Sequence, residues 1–337
     1  MYAGYQYVEN RNRLSTAADD SIENESLSAF CLNQTETEYY AFNQDRGLVK
    51  LALETNTVKQ SFNYRNLPIS AFTMSSDEQI AIVAYRNGDV VKWVQSANGF
   101  QQQKLKHLND VISSLAVSIR HNLLALGASS GKITVLKLDS GDLQSEFHNG
   151  DFSVRGLKFV PGTESLLTCD SGGRIQLWNS RSGKQIQTYS GHTQLVVSMA
   201  MTADGQRFAT GSMDGTARLW DLKSGREIWK LKSADFQSGV TSVALTDNGS
   251  KLAVAGYSNG SISVWDVSSR RRMGTLMTES GSVKQLIFSR GSSSKLFYLT
   301  YRGPVQSWDF QGSINESKDP SIESLAEFAT IRSKNDE

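Results

Sequence analysis

The sequence predicts an all-β fold, a seven-bladed β-propeller of four-stranded antiparallel blades. Three observations predict it. A glycine is followed five residues later by tryptophan at Gly88–Trp93, Gly173–Trp178, Gly215–Trp220, Gly260–Trp265 and Gly303–Trp308, and two weaker copies place Ala52 after Gly47 and Leu136 after Gly131. These seven plus-five positions recur at intervals of 41 to 45 residues along the whole chain, a period that belongs to propeller blades. Each interval also contains four short strand-like runs, which cannot bury both faces of their sheet until neighbouring units stack and the ring closes.

The strands can be justified in order within the fifth unit. Val196 to Met201 is an apolar run, and Ala203-Asp204-Gly205 is a turn. Phe208 to Ser212 follows, then the strand after Gly215 that ends at Trp220, then a more polar strand around Ile228 to Leu231. Two residues after each repeat glycine stands Val49, Val90, Ile133, Ile175, Ala217, Ile262 or Val305, the period-two alternation of a strand leaving a tight turn. The seventh unit ends its third strand near Trp308, and residues 311–319 are too polar for a good fourth. Tyr5 to Asn10 is therefore predicted to close the ring as the outer strand of the last blade. The expected organisation is a strand and linker over 1–21, the repeats over 22–312, and a polar tail over 313–337. Within that tail, Asp319-Pro320 predicts the start of a short C-terminal helix with Ile322, Leu325, Phe328 and Ile331 on one side.

Bulk composition narrows the function. The chain has 337 residues and a net charge of +1, so no overall field draws it to nucleic acid or to an acidic membrane. No basic and apolar leader follows Met1, and no run of about eighteen apolar residues occurs. The expectation is a soluble protein, cytoplasmic and/or nuclear, without membrane insertion or direct nucleic-acid binding. Cys31 and Cys169 fall in strand-like runs and are expected as buried small residues rather than a disulfide. Asn-x-Ser/Thr sequons at Asn24, Asn33, Asn248, Asn259 and Asn315 read as turn chemistry.

The stretch GHTQLVVSMAMTADGQRFATGSMDGTARLWDLKSG, residues 191–225, closely resembles the WD repeat, and the other six units resemble it in graded fashion. The resemblance covers about residues 22–312. It implies a hydrogen-bonded network inside the blade, made here by Trp220, Thr210 or Ser212, His192 and Asp214. A buried indole N–H, imidazole and carboxylate each need a partner, and a satisfied network pins the blade. Only the fifth unit carries this full set. The sixth keeps Trp265-Asp266, the seventh Trp308-Asp309 and the fourth Trp178-Asn179, while the first and third lack the tryptophan.

Other motifs carry less. His107, His121 and His148 read as scattered loop residues without metal-ligand spacing. Gly127 to Lys132 has three residues between its glycines and runs into a strand, so it is an ordinary turn and not a phosphate loop. Arg270-Arg271-Arg272 reads as a solvated loop after Trp265-Asp266. Trp178-Asn179-Ser180-Arg181 is similar to the Trp-Asp-x-Arg box by which some WD-repeat proteins dock on a ligase adaptor, with Asn in place of Asp. No catalytic set, metal site or cofactor is indicated.

Partner binding is expected on loops carried by the rigid ring. In the family, partners often sit over the channel, on the face where the first strands begin. The column one residue before the Asp214 position reads Asp45, Arg86, Ser129, Ser171, Met213, Ser258 and Tyr301, and the column just inside the first strand reads Ser28, Ser70, Ser113, Arg155, Val197, Thr241 and Lys284. Arg86, Arg155, Met213, Lys284 and Tyr301 are the candidate contacts, with Tyr257 added as the neighbour of Ser258. The expected function is a protein–protein interaction scaffold or adaptor that takes proteins or peptides, acidic or phosphorylated ones among them, without a small-molecule cofactor. The competing readings are a subunit that recognises modified peptides and, from another class, a propeller enzyme.

Overall fold

The computed structural model describes residues 27–43, 47–62, 67–75, 77–96, 99–258, 260–279, 281–292 and 294–310. These residues form six four-stranded antiparallel sheets and one three-stranded sheet, each with its strands hydrogen-bonded in chain order. The inner strands are Leu27–Leu32, Ile69–Met74, Ile112–Ser118, Val154–Phe159, Val196–Met201, Val240–Leu245 and Val283–Phe288, which define blades 1 to 7. Neighbouring inner strands contact one another, so they line a central channel. The three described strands of blade 7 end at Gln306–Asp309. The expected closing strand at Tyr5 to Asn10 and the expected C-terminal helix lie outside the described residues.

The apolar core is divided among the blade interfaces. Among the described residues, seven clusters of buried side chains fill the seven gaps between adjacent blades. One of them packs Leu27, Phe30 and Tyr39 of blade 1 on Phe297, Leu299 and Val305 of blade 7, which closes the ring. The period-two pattern explains this arrangement, because each strand sends alternate side chains toward opposite neighbours.

The repeat glycine has a backbone reason. Gly47, Gly88, Gly131, Gly173, Gly215, Gly260 and Gly303 all take positive φ, between 64° and 94°, at the turn from second to third strand. Several are also closely approached: a Cβ on Gly88 would stand 1.8 Å from the Leu108 carbonyl oxygen, and one on Gly131 would stand 1.9 Å from that of Gly150.

Three local expectations need correction. His107 and His148 are the last residues of the outer strands Gly99–His107 and Leu143–His148, not loop residues. Outer strands face water on one edge, which blurs their alternation in sequence. Arg272 likewise opens the outer strand of blade 6, where it pairs with Asp235 at 2.7 Å and lies over the Trp265 ring at 5.6 Å. Cys31 is half-buried, whereas Cys169 is buried, and both thiols are free.

Candidate functional site

Blade 5 holds a continuous polar network. The Trp220 indole N–H donates to Thr210 Oγ1 at 2.9 Å, and Thr210 Oγ1 lies 2.8 Å from His192 Nε2. His192 Nδ1 lies 2.8 Å from Asp214 Oδ2. Donor and acceptor roles can alternate along this line, because the indole only donates and the hydroxyl does both. Burial opposes the Asp214 charge, but hydrogen bonds from His192, Thr216 and the Thr193 N–H outweigh it and hold the carboxyl well below its ordinary range. Of the two hydroxyls expected to serve Trp220, Thr210 does so. Ser212 instead accepts from the Asp214 N–H and donates to the Gln194 carbonyl, tying the turn to the loop before the blade. Arg218 is buried over the outer side of the network, with Nη1 at 2.5 Å from Glu227 and Nη2 at 4.0 Å from Asp214.

Blade 4 builds the same circuit from different residues. Trp178 Nε1 donates to Thr168 Oγ1 at 3.2 Å, Thr168 donates to Asn149 Oδ1 at 2.6 Å, and Asn149 Nδ2 donates to Asp170 Oδ2 at 3.0 Å. The amide of Asn149 offers one acceptor and one donor, as the two imidazole nitrogens do. Sequence reading keyed on histidine misses it. In blade 2, Val83 occupies the threonine position, and the buried indole N–H of Trp93 has no acceptor among the described residues. In blade 6, Trp265 turns to Ser263 on its own strand at 2.9 Å.

On the face where inner strands begin, one backbone bond recurs in six blades. The N–H of Arg86 donates to Pro68 O, Ser129 to Val111 O, Ser171 to Ser153 O, Met213 to Leu195 O, Tyr257 to Gly239 O, and Tyr301 to Ser282 O. Blade 6 places Tyr257 in this column and not Ser258, because its loop to the repeat glycine is one residue longer. Tyr257 and Tyr301 are 48% and 51% exposed, Arg86 is exposed, and Met213 is half-buried against Gly239. Asp45 lies outside the described residues.

The second column has its own structural cause. In blades 2 to 7 the pairing of inner and second strand slips by one residue after the first pair, and the skipped residue is Ser70, Ser113, Arg155, Val197, Thr241 or Lys284. Such a bulge re-aims its side chain, and Arg155, Val197, Thr241 and Lys284 line the channel. Arg155 is exposed. Lys284 donates to the Leu27 carbonyl at 2.6 Å and stands 4.8 Å over the Tyr301 ring, so two candidate residues are partners of each other. Burial holds its ammonium below the usual lysine value. The same face carries an aromatic that sequence reading missed: Phe152, 48% exposed, covers Gly172 and stacks under Arg174 at 5.0 Å.

Comparison with known proteins finds WD repeats in the chain. The model of the WD domain, G-beta repeat, matches residues 183–221 and 225–266. Two consecutive repeats of this seven-bladed propeller are thus WD repeats. The guanine nucleotide-binding protein subunit beta of Zea mays is 40% identical over 114 residues, which is 32% of this chain and 28% of that protein. Protein tipD of Dictyostelium discoideum is 30% identical over 161 residues, covering 47% of this chain and 25% of the relative. Protein groucho of Drosophila melanogaster is 28% identical over 143 residues, covering 42% and 19%. The matched region thus spans little more than a quarter, at most, of these curated relatives.

The other motifs of this WD-repeat propeller have structural duties. Arg181 of the Trp178-Asn179-Ser180-Arg181 stretch pairs with Glu164 at 2.6 Å, and Asn179 accepts from the Ser182 N–H. Among the described residues no three His, Cys, Asp or Glu side chains converge in metal-binding geometry. Nor is any described helix long and apolar enough to cross a membrane.

Proposed function

We propose that this propeller is a protein–protein interaction scaffold or adaptor subunit of a larger complex, cytoplasmic and/or nuclear, that binds partners and does not catalyse. Partners dock over the channel mouth, on Arg86, Arg155, Met213, Tyr257, Lys284 and Tyr301. The carrying observation is that Tyr257 and Tyr301 occupy equivalent, strongly exposed positions on adjacent blades, each held by the same backbone bond. Exposed tyrosines on rigid turns bury large area at little entropic cost, and they commonly anchor interfaces. A relative whose name makes it the beta subunit of a guanine nucleotide-binding protein supports a place within an assembly.

A second reading, recognition of acidic or phosphorylated peptides, draws on Arg86 and Arg155 near the same mouth. The test is site-specific photocrosslinking. A photoreactive residue at 257 or 301 should capture a discrete partner from the native source, whereas one at Ile186 on an outer strand should not. Equal capture from all three sites contradicts the proposal.

A further inference from the structure

The channel is strongly biased in charge, although the chain is nearly neutral. It encloses about 830 Å³, a volume typical of small-molecule sites. Among the described residues its wall carries four cations, Arg155, Lys158, Lys284 and Arg290, against one carboxylate, Asp247. Lys284 is engaged by Leu27 and Tyr301. Arg155 and Lys158 are the exposed positions of the blade 4 inner strand, whose Val154 and Leu157 are buried. Neither ion-pairs with a carboxylate among the described residues. Lys158 lines the channel and is exposed, in register with the small Ala200 of the next inner strand.

The surroundings of Lys158 reinforce this. The channel walls around it hold its ammonium below the ordinary lysine value. At the rim, Glu36 is occupied by Ser289 Oγ and the Arg290 N–H. Cations inside low-dielectric walls focus a positive field along the channel. Arg155 and Lys158 are three residues apart on one strand, which is ~10 Å along the channel. Two cations spaced along the channel in this way can each take a different phosphate of one ligand.

We propose that the central channel binds a small, multiply phosphorylated molecule, with Arg155 and Lys158 as its cationic ligands and Arg290 at the far end. This site shares Arg155 with the proposed docking face and uses neither of its tyrosines. Calorimetric titration of the full chain with inorganic tripolyphosphate tests it. Wild type should bind one equivalent, and Lys158→Gln and Arg155→Gln should each weaken binding at least about tenfold, the loss of one charge-assisted contact. Lys158→Arg and the outer-strand Lys184→Gln should bind as wild type does. If Lys158→Gln does not fold, Arg155→Gln at its exposed bulge carries the same test.

Absence of saturable binding by wild type, or an unchanged Kd in both Gln variants, overturns the proposal. So does Lys158-dependent binding of a glutamate decapeptide without binding of tripolyphosphate, which would assign the channel to an acidic protein segment. Tripolyphosphate binding should survive in a Tyr257→Ala, Tyr301→Ala double variant, so failure of the docking face is read separately.

Discussion

Gln285 of blade 7 and Phe30 of blade 1 exchange two hydrogen bonds, each 2.9 Å long. The Gln285 amide donates to the Phe30 carbonyl and accepts from the Phe30 N–H. Serines make the one-bond version of this link between other blades: Ser198 accepts from the Val243 N–H and Ser242 from the Leu286 N–H, both at 3.0 Å. The longer glutamine side chain adds a donor where the last blade must meet the first. Gln285→Ala removes both bonds and is expected to cost about 2 kcal/mol. Ser242→Ala, which removes one, is expected to cost about 1 kcal/mol. Chemical denaturation of the two variants measures the difference, and an equal cost would mean that closure does not depend on the clasp.

The blade 5 network concentrates its stakes on one hydroxyl. Thr210→Val deprives the Trp220 indole and the His192 ring of their shared partner. With both groups buried, the expected loss is about 2–4 kcal/mol. Blade 2 offers the reverse experiment. Val83→Thr would place a hydroxyl before the unpartnered Trp93 indole and should stabilise by up to about 1 kcal/mol. A destabilised Val83→Thr would show that blade 2 cannot orient the new hydroxyl.

Acid should reach Asp89 late. This carboxylate is nearly buried, which by itself would raise its pKa. Hydrogen bonds from Lys104, His107 and Asn87 more than compensate and lower it to about 2. The folded pKa lies below the ordinary value of 3.8, so the stabilisation is fully present above that value. It is lost as pH falls through about 2. Unfolding free energy measured from pH 5 to pH 2 should therefore fall less steeply in Asp89→Asn than in wild type. Identical slopes would remove Asp89 from the acid response.

How much of this was legible in the sequence varies from residue to residue. The glycine column survives translation into structure because positive φ admits few alternatives. That is why the seven-blade count could be read even where Ala52 and Leu136 replace tryptophan. Asn149 was invisible, since its equivalence to His192 lies in donor and acceptor geometry and not in residue type. Ser258 was read into the column where Tyr257 stands, because a single extra loop residue shifts the alignment without disturbing the strands. The slipped pairing that skips Arg155 and Lys284 leaves no pattern in hydrophobicity, and neither does the pairing of Lys284 with Tyr301.

The docking face should be separable from stability. Tyr257 and Tyr301 are exposed, so replacing both by alanine should change unfolding free energy by no more than about 1 kcal/mol in total. If they anchor a partner, the same change should weaken binding by about 2–4 kcal/mol.

The most direct measurement is quantitative affinity purification from the native source, comparing wild type with the Arg86→Ala, Tyr257→Ala, Tyr301→Ala triple variant at matched thermal stability. A scaffold that docks its partner over the channel mouth should bring down a partner in constant stoichiometry, and the triple variant should lose it. Recovery of the same partner at the same stoichiometry by the folded triple variant would contradict the account.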